Sequence, residues 1–280
     1  STSGVQNGTD SDAGFWPALV TKVALIVLCM GFARTLAMLA NRFLDRKIDA
    51  LNPRTASRAL PSGRLSPNAA VLFMAGCAAA FVGITSLFGF LYHNWLPLIL
   101  SVPVLGWLCG YGYLKRFTAL CHIYLGASLA ISPIAAAIAI NPHTLSPGSA
   151  FFQPAIFLLS FMVVCWVAGF DVIYALQDVE VDREQHLYSI PARLGVPRAI
   201  LISRLLHMLA FAALVIAWKI DPRFSWPFAV GVGCTGILLL IEHLTVARWG
   251  RTKIALTFFT LNGIISCVLG ILGIIDMTVV

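Results

Sequence analysis

Residues 150–182 read AFFQPAIFLLSFMVVCWVAGFDVIYALQDVEVD. A transmembrane helix needs about 20 mainly apolar residues, and the stretch from 150 to 175 meets that length. It also carries a carboxylate, Asp171, inside its apolar pattern. Val172-Ile173 and Ala175-Leu176 continue past it, so Asp171 does more than end a helix at the headgroups. A carboxylate near the middle of a bilayer costs about 2.5–3.5 kcal/mol on insertion scales, and less toward the interface. The stretch therefore reads as a membrane helix that runs into an acidic cytoplasmic end.

Seven more runs of similar length lie outward from it, at roughly 18–41, 68–92, 95–114, 118–140, 199–218, 226–246 and 253–275. The fold expected is all-α, a polytopic transmembrane helical bundle of eight spans, in a single domain over 1–280 with a polar extramembrane stretch at 1–14. Composition agrees. The chain of 280 residues is 59% hydrophobic and 11% charged, with a mean hydropathy of +0.87, whereas soluble domains are about 25% charged. These figures exclude a soluble enzyme, a disordered chain and a nucleic-acid-binding domain, despite the net charge of +7. The polar start, with Asp10 and Asp12, lacks the basic n-region of a signal peptide. Asn7-Gly8-Thr9 is read as an incidental sequon. The seven cysteines form no CxxC pair and read as small buried hydrophobes.

Lys and Arg placement orients the chain. If the 42–67 connection is cytoplasmic, fourteen basic residues fall in cytoplasmic connections, against only Lys219 and Arg223 on the other side. That asymmetry predicts an integral membrane protein of a bacterial or organellar inner membrane, with both termini outside.

More than half of the twelve acidic residues fall in two windows, each at the cytoplasmic end of a span. Asn41, Asp45 and Asp49 stand at i, i+4 and i+8, so a continuing helix stacks them on one side. Asp171, Asp178 and Asp182 stand at i, i+7 and i+11, again on one side, with Tyr174 beside them and Gln177 one residue off the line. If the two helices are neighbours, five carboxylates and an amide converge, and clustered carboxylates imply cations. All the donors are oxygens, which favours Mg2+ shared between carboxylates and a substrate phosphate.

The basic residues nearby have two readings. The Pro/Gly-punctuated loop after the first window holds Arg54, Arg58 and Arg64, and Lys115-Arg116 closes the next cytoplasmic connection. Arg42, Arg46 and Lys47 serve equally as topology signals or as part of a polyphosphate site. Arg58 and Lys115 read as diphosphate ligands. Arg34, seven residues before Asn41, shares its face. It forms an ion pair with an Asp of a neighbouring span, or it anchors an anionic or phenolic substrate group. His122, His207 and His243 read as partners in helix–helix hydrogen bonds, His186 as a loop residue near the site, Glu180 and Glu184 as solvated, and Glu242 as structurally paired.

The sequence Asn41-Arg42-x-x-Asp45-x-x-x-Asp49 resembles the first aspartate-rich motif of the UbiA superfamily of intramembrane aromatic prenyltransferases. Asp171-x-x-Tyr174-Ala175-Leu176-Gln177-Asp178-x-x-x-Asp182 resembles its second. Arg34-Thr35, the Asn52–Gly63 loop, Lys115-Arg116-Phe117-Thr118, Ser189–Arg193 and Phe258–Gly263 are similar too. The likeness is strongest to 4-hydroxybenzoate polyprenyltransferases and to relatives proposed to prenylate 1,4-dihydroxy-6-naphthoate in a menaquinone route. Family members usually have nine spans, so the resemblance implies a helix before the first motif's helix that this chain lacks.

The resemblance implies a mechanism. A polyprenyl diphosphate enters from the bilayer, and Mg2+ binds it to Asn41, Asp45 and Asp49 on one side and Asp178 and Asp182 on the other. Arg58, Lys115 and Gln177 contact the diphosphate. Asp171 and Tyr174 steady the allylic cation or orient the phenol of an aromatic acid acceptor, and Arg34 holds its carboxylate. A different class, an ion-coupled transporter, also uses intramembrane carboxylates. It predicts carboxylates near the midplane and often an internal repeat, whereas here they collect at one end beside basic loops.

Overall fold

The structure, a computed structural model, describes residues 9–254 and 257–279, with side chains at 15–254 and 259–278. Every regular element among the described residues is helical. Among the described residues eight helices are long and apolar enough to cross a membrane, as the sequence predicts. The chain folds into two compact units, Ser1–Gly112 with Ala135–Phe151, and Tyr113–Ile134 with Phe152–Val280.

In the first unit, α1 (Thr9–Leu51) runs 43 residues without a break. It extends well beyond the apolar stretch expected at 18–41 in both directions. It begins inside the polar N-terminal stretch, of which 1–8, with Asn7 and Gly8 of the sequon, lie outside the described residues. At its far end it carries Asn41, Asp45 and Asp49 on continuous helix, so their spacing of four does stack them on one face. After a loop of turns, α2 (Pro67–Tyr92) starts where Ser66 caps it by accepting the Ala69 N–H, with Pro67 at the first helical position. It ends at His93, which sits in the left-handed region at φ 53°. Then α3 (Leu96–Leu114) follows. Leu25, Phe88 and Ala139 form this unit's small buried core, and Asn94 donates to the Ile138 carbonyl at 2.7 Å. Gly112 on α3 lies so close to α1 that a Cβ there would stand 3.0 Å from Asn41 Oδ1.

In the second unit, α5 (Ala155–Tyr174) is the most buried of the spans. Met162 and Cys165 pack on Ala210, Ala213 and Leu214 of α8 (Val196–Ile220) and on Phe228 and Val232 of α9 (Trp226–Trp249). Nearer the acidic end, Val172, Ile173 and Leu176 pack with Ile190, Ala199, Val246 and Ile254. The N-terminal part of α4 (Cys121–Ile140) lies against α5 at Gly126. The short helices α6 (Val179–Glu184) and α7 (Ile190–Leu194) carry the end of the acidic window and the turn after it. A π-helical turn, Thr257–Leu261, leads into α10 (Asn262–Val279). Ser225, which opens α9, gives its N–H to buried Asp276 at 2.7 Å and its hydroxyl to the other oxygen of the same carboxylate.

One sequence expectation is corrected here. Asp171, Asp178 and Asp182 do not share a continuous helix. The α-helix stops at Tyr174, a 3-10 turn spans Ala175–Gln177, and Asp178 lies outside helical geometry at φ −110°, ψ 9°. Its N–H closes on the Ala175 carbonyl at 3.1 Å, the tighter bond that ends many helices. The window is therefore a helix end, a break and a new one-and-a-half-turn helix. The cysteines are unpaired as expected, but only Cys77, Cys121 and Cys165 are buried, and Cys267 is exposed.

Candidate active site

The first motif sits at the end of α1. Asp45 and Asp49 are almost fully buried, at 4% and 5% exposure, while Asn41 is half-buried. The loop after α1 folds back on the helix. Thr55, itself buried, donates its hydroxyl to the Asp49 carbonyl at 2.9 Å, and Asn52 Oδ1 accepts the Arg54 N–H at 3.0 Å. That turn brings Arg58 to Asp49, where Nη1 reaches both carboxylate oxygens, at 2.8 and 2.9 Å. Charge-assisted bonds of this kind contribute about 1.5–3 kcal/mol. Arg58→Ala should therefore lower the stability of the detergent-solubilised protein by about 1–3 kcal/mol, since it leaves a buried carboxylate without its guanidinium. A melting temperature unchanged by the substitution would show that the pair is not formed in solution.

An open groove of about 610 Å3 lies in the same unit, lined by Thr35, Met38, Leu39, Arg42, Leu65, Ala69 and Phe73. Apart from Thr35 and Arg42 its walls are apolar. Arg34 is exposed on α1 and makes no ion pair or hydrogen bond among the described residues. The structural ion pair weighed for it is absent. Its long side chain has reached the surface instead of a neighbouring carboxylate.

The second motif lies in the other unit. Asp171 occupies the last turn of α5 and is half-buried, with Oδ2 2.7 Å from His122 Nδ1. The Tyr174 carbonyl accepts from the Gln177 amide at 3.3 Å. Asp178 and Asp182 are half-buried at the break and on α6. Burial pushes the Asp182 carboxyl above the usual carboxylate range, against the opposing pull of a Ser189 hydrogen bond and the positive charge of Lys115. Lys115 also anchors the turn before α7, its carbonyl accepting the Tyr188 N–H at 2.7 Å.

Glu180 points elsewhere, as expected, forming an exposed pair with Arg251 at 2.7 Å. His186 is exposed in the loop, at φ 54°. His207 and His243 bond to one another at 3.0 Å, and His207 Nε2 bonds to the Trp166 carbonyl. Glu242 is fully buried, 3.8 Å from His207. These three form a polar seam deep among α5, α8 and α9. The residue that sequence reasoning undervalued is His122. Its partner is the motif's own Asp171, not an unrelated helix. The available clue was its place at the start of a span, one short turn after Lys115.

No three His, Cys, Asp or Glu side chains among the described residues come together as a metal cage. The donor set nevertheless fits Mg2+. The oxygens are hard donors, buried at Asp45 and Asp49 and half-buried at Asn41, Asp178 and Asp182, and Mg2+ keeps several waters and binds through one or two carboxylates plus substrate phosphates.

Comparison with known proteins identifies the family. The UbiA prenyltransferase family matches residues 12–264. The 4-hydroxybenzoate octaprenyltransferase of Saccharophagus degradans is 34% identical over 221 residues, 78% of this chain and 66% of that protein. The enzyme of the same name from Xanthomonas campestris pv. campestris (strain B100) is 31% identical over 238 residues, 82% of this chain and 71% of that protein. Among solved structures, the apo UbiA homolog from Aeropyrum pernix K1 superimposes with a TM-score of 0.79 at 28% identity, covering 92% of this chain and 90% of that one. A UbiA homolog from Archaeoglobus fulgidus, solved bound to GPP and Mg2+, has the same fold at 20% identity and a TM-score of 0.65, covering 92% of this chain and 88% of that one. With the family matched over most of its length, this multi-pass membrane protein belongs to the UbiA prenyltransferase family.

Proposed function

We propose that the chain, acting as one domain over 1–280, transfers a polyprenyl group from its diphosphate to an aromatic acid, 4-hydroxybenzoate first among candidates. The observation that carries this reading is the matched character of the two motifs. Each withdraws carboxylates from water and keeps a cation at hand, Arg58 beside Asp49 and Lys115 acting on Asp182. The relatives' name supports the acceptor, and the same fold holds GPP and Mg2+ in the Archaeoglobus protein.

In this reading Asn41, Asp45 and Asp49 of the first motif, and Asp178 and Asp182 of the second, are each Mg2+ ligands. When bound, the metal neutralises charge on the diphosphate. Arg58 and Lys115 add fixed positive charge, and the Gln177 amide donates a hydrogen bond. As the allylic C–O bond breaks, its electron pair leaves with the diphosphate, and preorganised cations at low dielectric stabilise that charge. The apolar groove beside Arg42 suits the prenyl chain. Asp171 and Tyr174 steady the allylic cation and orient the phenol. The ring carbon ortho to the hydroxyl forms the new C–C bond and then loses its proton. Arg34, free and exposed, holds the acceptor's carboxylate. The Lys and Arg asymmetry of the sequence supports a cytoplasmic location for both motifs.

Membranes containing the chain are expected to convert geranyl diphosphate and 4-hydroxybenzoate to a prenylated acid with Mg2+ and not with EDTA. Product from 1,4-dihydroxy-6-naphthoate alone would move the acceptor and keep the reaction. No product with either acceptor, under Mg2+, would overturn the reading.

A further inference from the structure

His122 is 3% exposed, and both of its ring nitrogens are used. The Ile190 backbone N–H points at Nε2, 3.2 Å away. A backbone amide can only donate, so Nε2 is the bare acceptor nitrogen. The hydrogen-bond pattern thus assigns the proton of a neutral ring to Nδ1, from which it is donated to Asp171 Oδ2 at 2.7 Å. The contacts continue beyond Ile190. Ser189, its neighbour, caps α7 by accepting the Ala192 N–H at 3.4 Å. Tyr188, one residue earlier, is tied to the Lys115 carbonyl, and Leu187 donates its N–H to the Asp182 carbonyl at 2.7 Å. A connected path therefore runs from Asp171 through His122 and the 187–190 turn to the Asp182 backbone.

The path answers a mechanical problem set by the break at Ala175–Asp178. On an unbroken helix the rigid backbone would fix the offset between Asp171 and Asp182. Here the helix stops between them, and three successive peptide units leave the α-helical pattern. A buried imidazole bonded to the Asp171 carboxylate and to the turn that bonds the Asp182 backbone ties the two ends together from outside the helix.

We propose that His122 is a positioning residue for the second motif: as a neutral Nδ1–H donor it fixes the Asp171 carboxylate, and through the Leu187–Ile190 turn it holds Asp182 in register with it. The inference rests on the prenyltransferase reading for its consequence to catalysis, but not for the geometry itself.

Two independent readouts test it. The first is kinetic. Partners that orient a functional side chain are typically worth about 10- to 100-fold in activity. His122→Ala should lower kcat by that factor and leave KM for the prenyl diphosphate within about threefold. His122→Asn keeps a side-chain N–H close to the Nδ1 position, and should recover most of the loss. Since His122 acts through Asp171, the His122→Ala/Asp171→Asn double variant should be no more than about twofold slower than the slower single variant. Multiplying losses, or His122→Asn as poor as His122→Ala with an unchanged melting temperature, would overturn the proposal. The second readout needs no turnover. Nitrogen-15 NMR of histidine-labelled protein in lipid nanodiscs should show His122 as the neutral Nδ1–H tautomer, perturbed by Asp171→Asn. An Nε2–H tautomer, or a resonance indifferent to Asp171→Asn, sinks the idea. If the parent chain prenylates neither acceptor, the prenyltransferase reading fails, and the NMR result still decides the role of His122.

Discussion

Asp178→Ala is expected to reduce prenyl transfer by about three orders of magnitude in kcat/KM, equivalent to about 4 kcal/mol of transition-state stabilisation. The expectation rests on where the side chain sits. Asp178 stands at the break between α5 and α6, outside helical geometry, and its carboxylate does not cap the helix that follows. Its removal should therefore leave the start of α6 intact. What it removes is one of the oxygens assigned to the diphosphate end of the site, where leaving-group charge develops and each preorganised interaction is worth about 100- to 1,000-fold. Asp178→Asn, of nearly the same shape, should be almost as poor, because the charge matters more than the volume. Glu180→Gln supplies the control. That residue lies two positions along, is exposed, and pairs with Arg251. An exposed pair of this kind contributes little to stability, so activity should stay within about twofold of the parent. Product formed by Asp178→Ala at a tenth of the parent rate or better would remove the second motif from the diphosphate site.

The first motif was largely legible because its structure is local. A spacing of four on an unbroken helix needs no tertiary information, and α1 continues straight through Asn41, Asp45 and Asp49. The spans were legible for the same reason, each being an apolar run of membrane length. The second motif was legible in composition but not in shape. Ala175-Leu176-Gln177 are good helix formers, and the spacing fits a helix, so nothing local announces the stop. The break is settled by tertiary packing, with Leu176 buried against Ile190 and Val246 and the Asp178 N–H closing a tighter turn. The Arg58–Asp49 pair was half visible. Proline and glycine marked a loop, but the Thr55 and Asn52 bonds that fold it back are side-chain events. Arg34 was misjudged on one branch, since sequence depth is not side-chain depth for so long a residue. His122 was read correctly as a hydrogen-bonded helix residue, yet its partner stands 49 positions away, a distance that periodicity cannot bridge.

Gly126→Ala should destabilise the second unit, and it should act through the site. Gly126 and His122 are four apart on α4 and so lie on one face. Val164 and Asp171 are seven apart on α5, again on one face. At Gly126 the two helices are in backbone contact: a Cβ there would stand 2.3 Å from the Val164 carbonyl oxygen. A side chain at that spot could rotate away, but a carbonyl held in a helix cannot. Alanine must therefore push α4 from α5 by about 1 Å, to reach the roughly 3.3 Å of an ordinary carbon–oxygen contact. Overpacking of this kind costs about 1–3 kcal/mol. One turn away, the same displacement would stretch the 2.7 Å bond between His122 and Asp171 beyond hydrogen-bonding range. A misplacement of about 1 Å at a reacting group can cost about 100-fold in rate. The expected result is a lowered melting temperature together with a loss in kcat of about that size. Gly83→Ala on α2 is the matched control. A Cβ there meets nothing within 4 Å, and alanine favours a helix over glycine by about 1 kcal/mol, so that variant should be neutral or slightly more stable and fully active. If Gly126→Ala melts lower but turns over normally, the close approach stabilises the helix pair without setting the geometry of Asp171, because the bond to His122 has survived the shift. If it neither melts lower nor slows, α4 and α5 do not meet at Gly126 in the membrane.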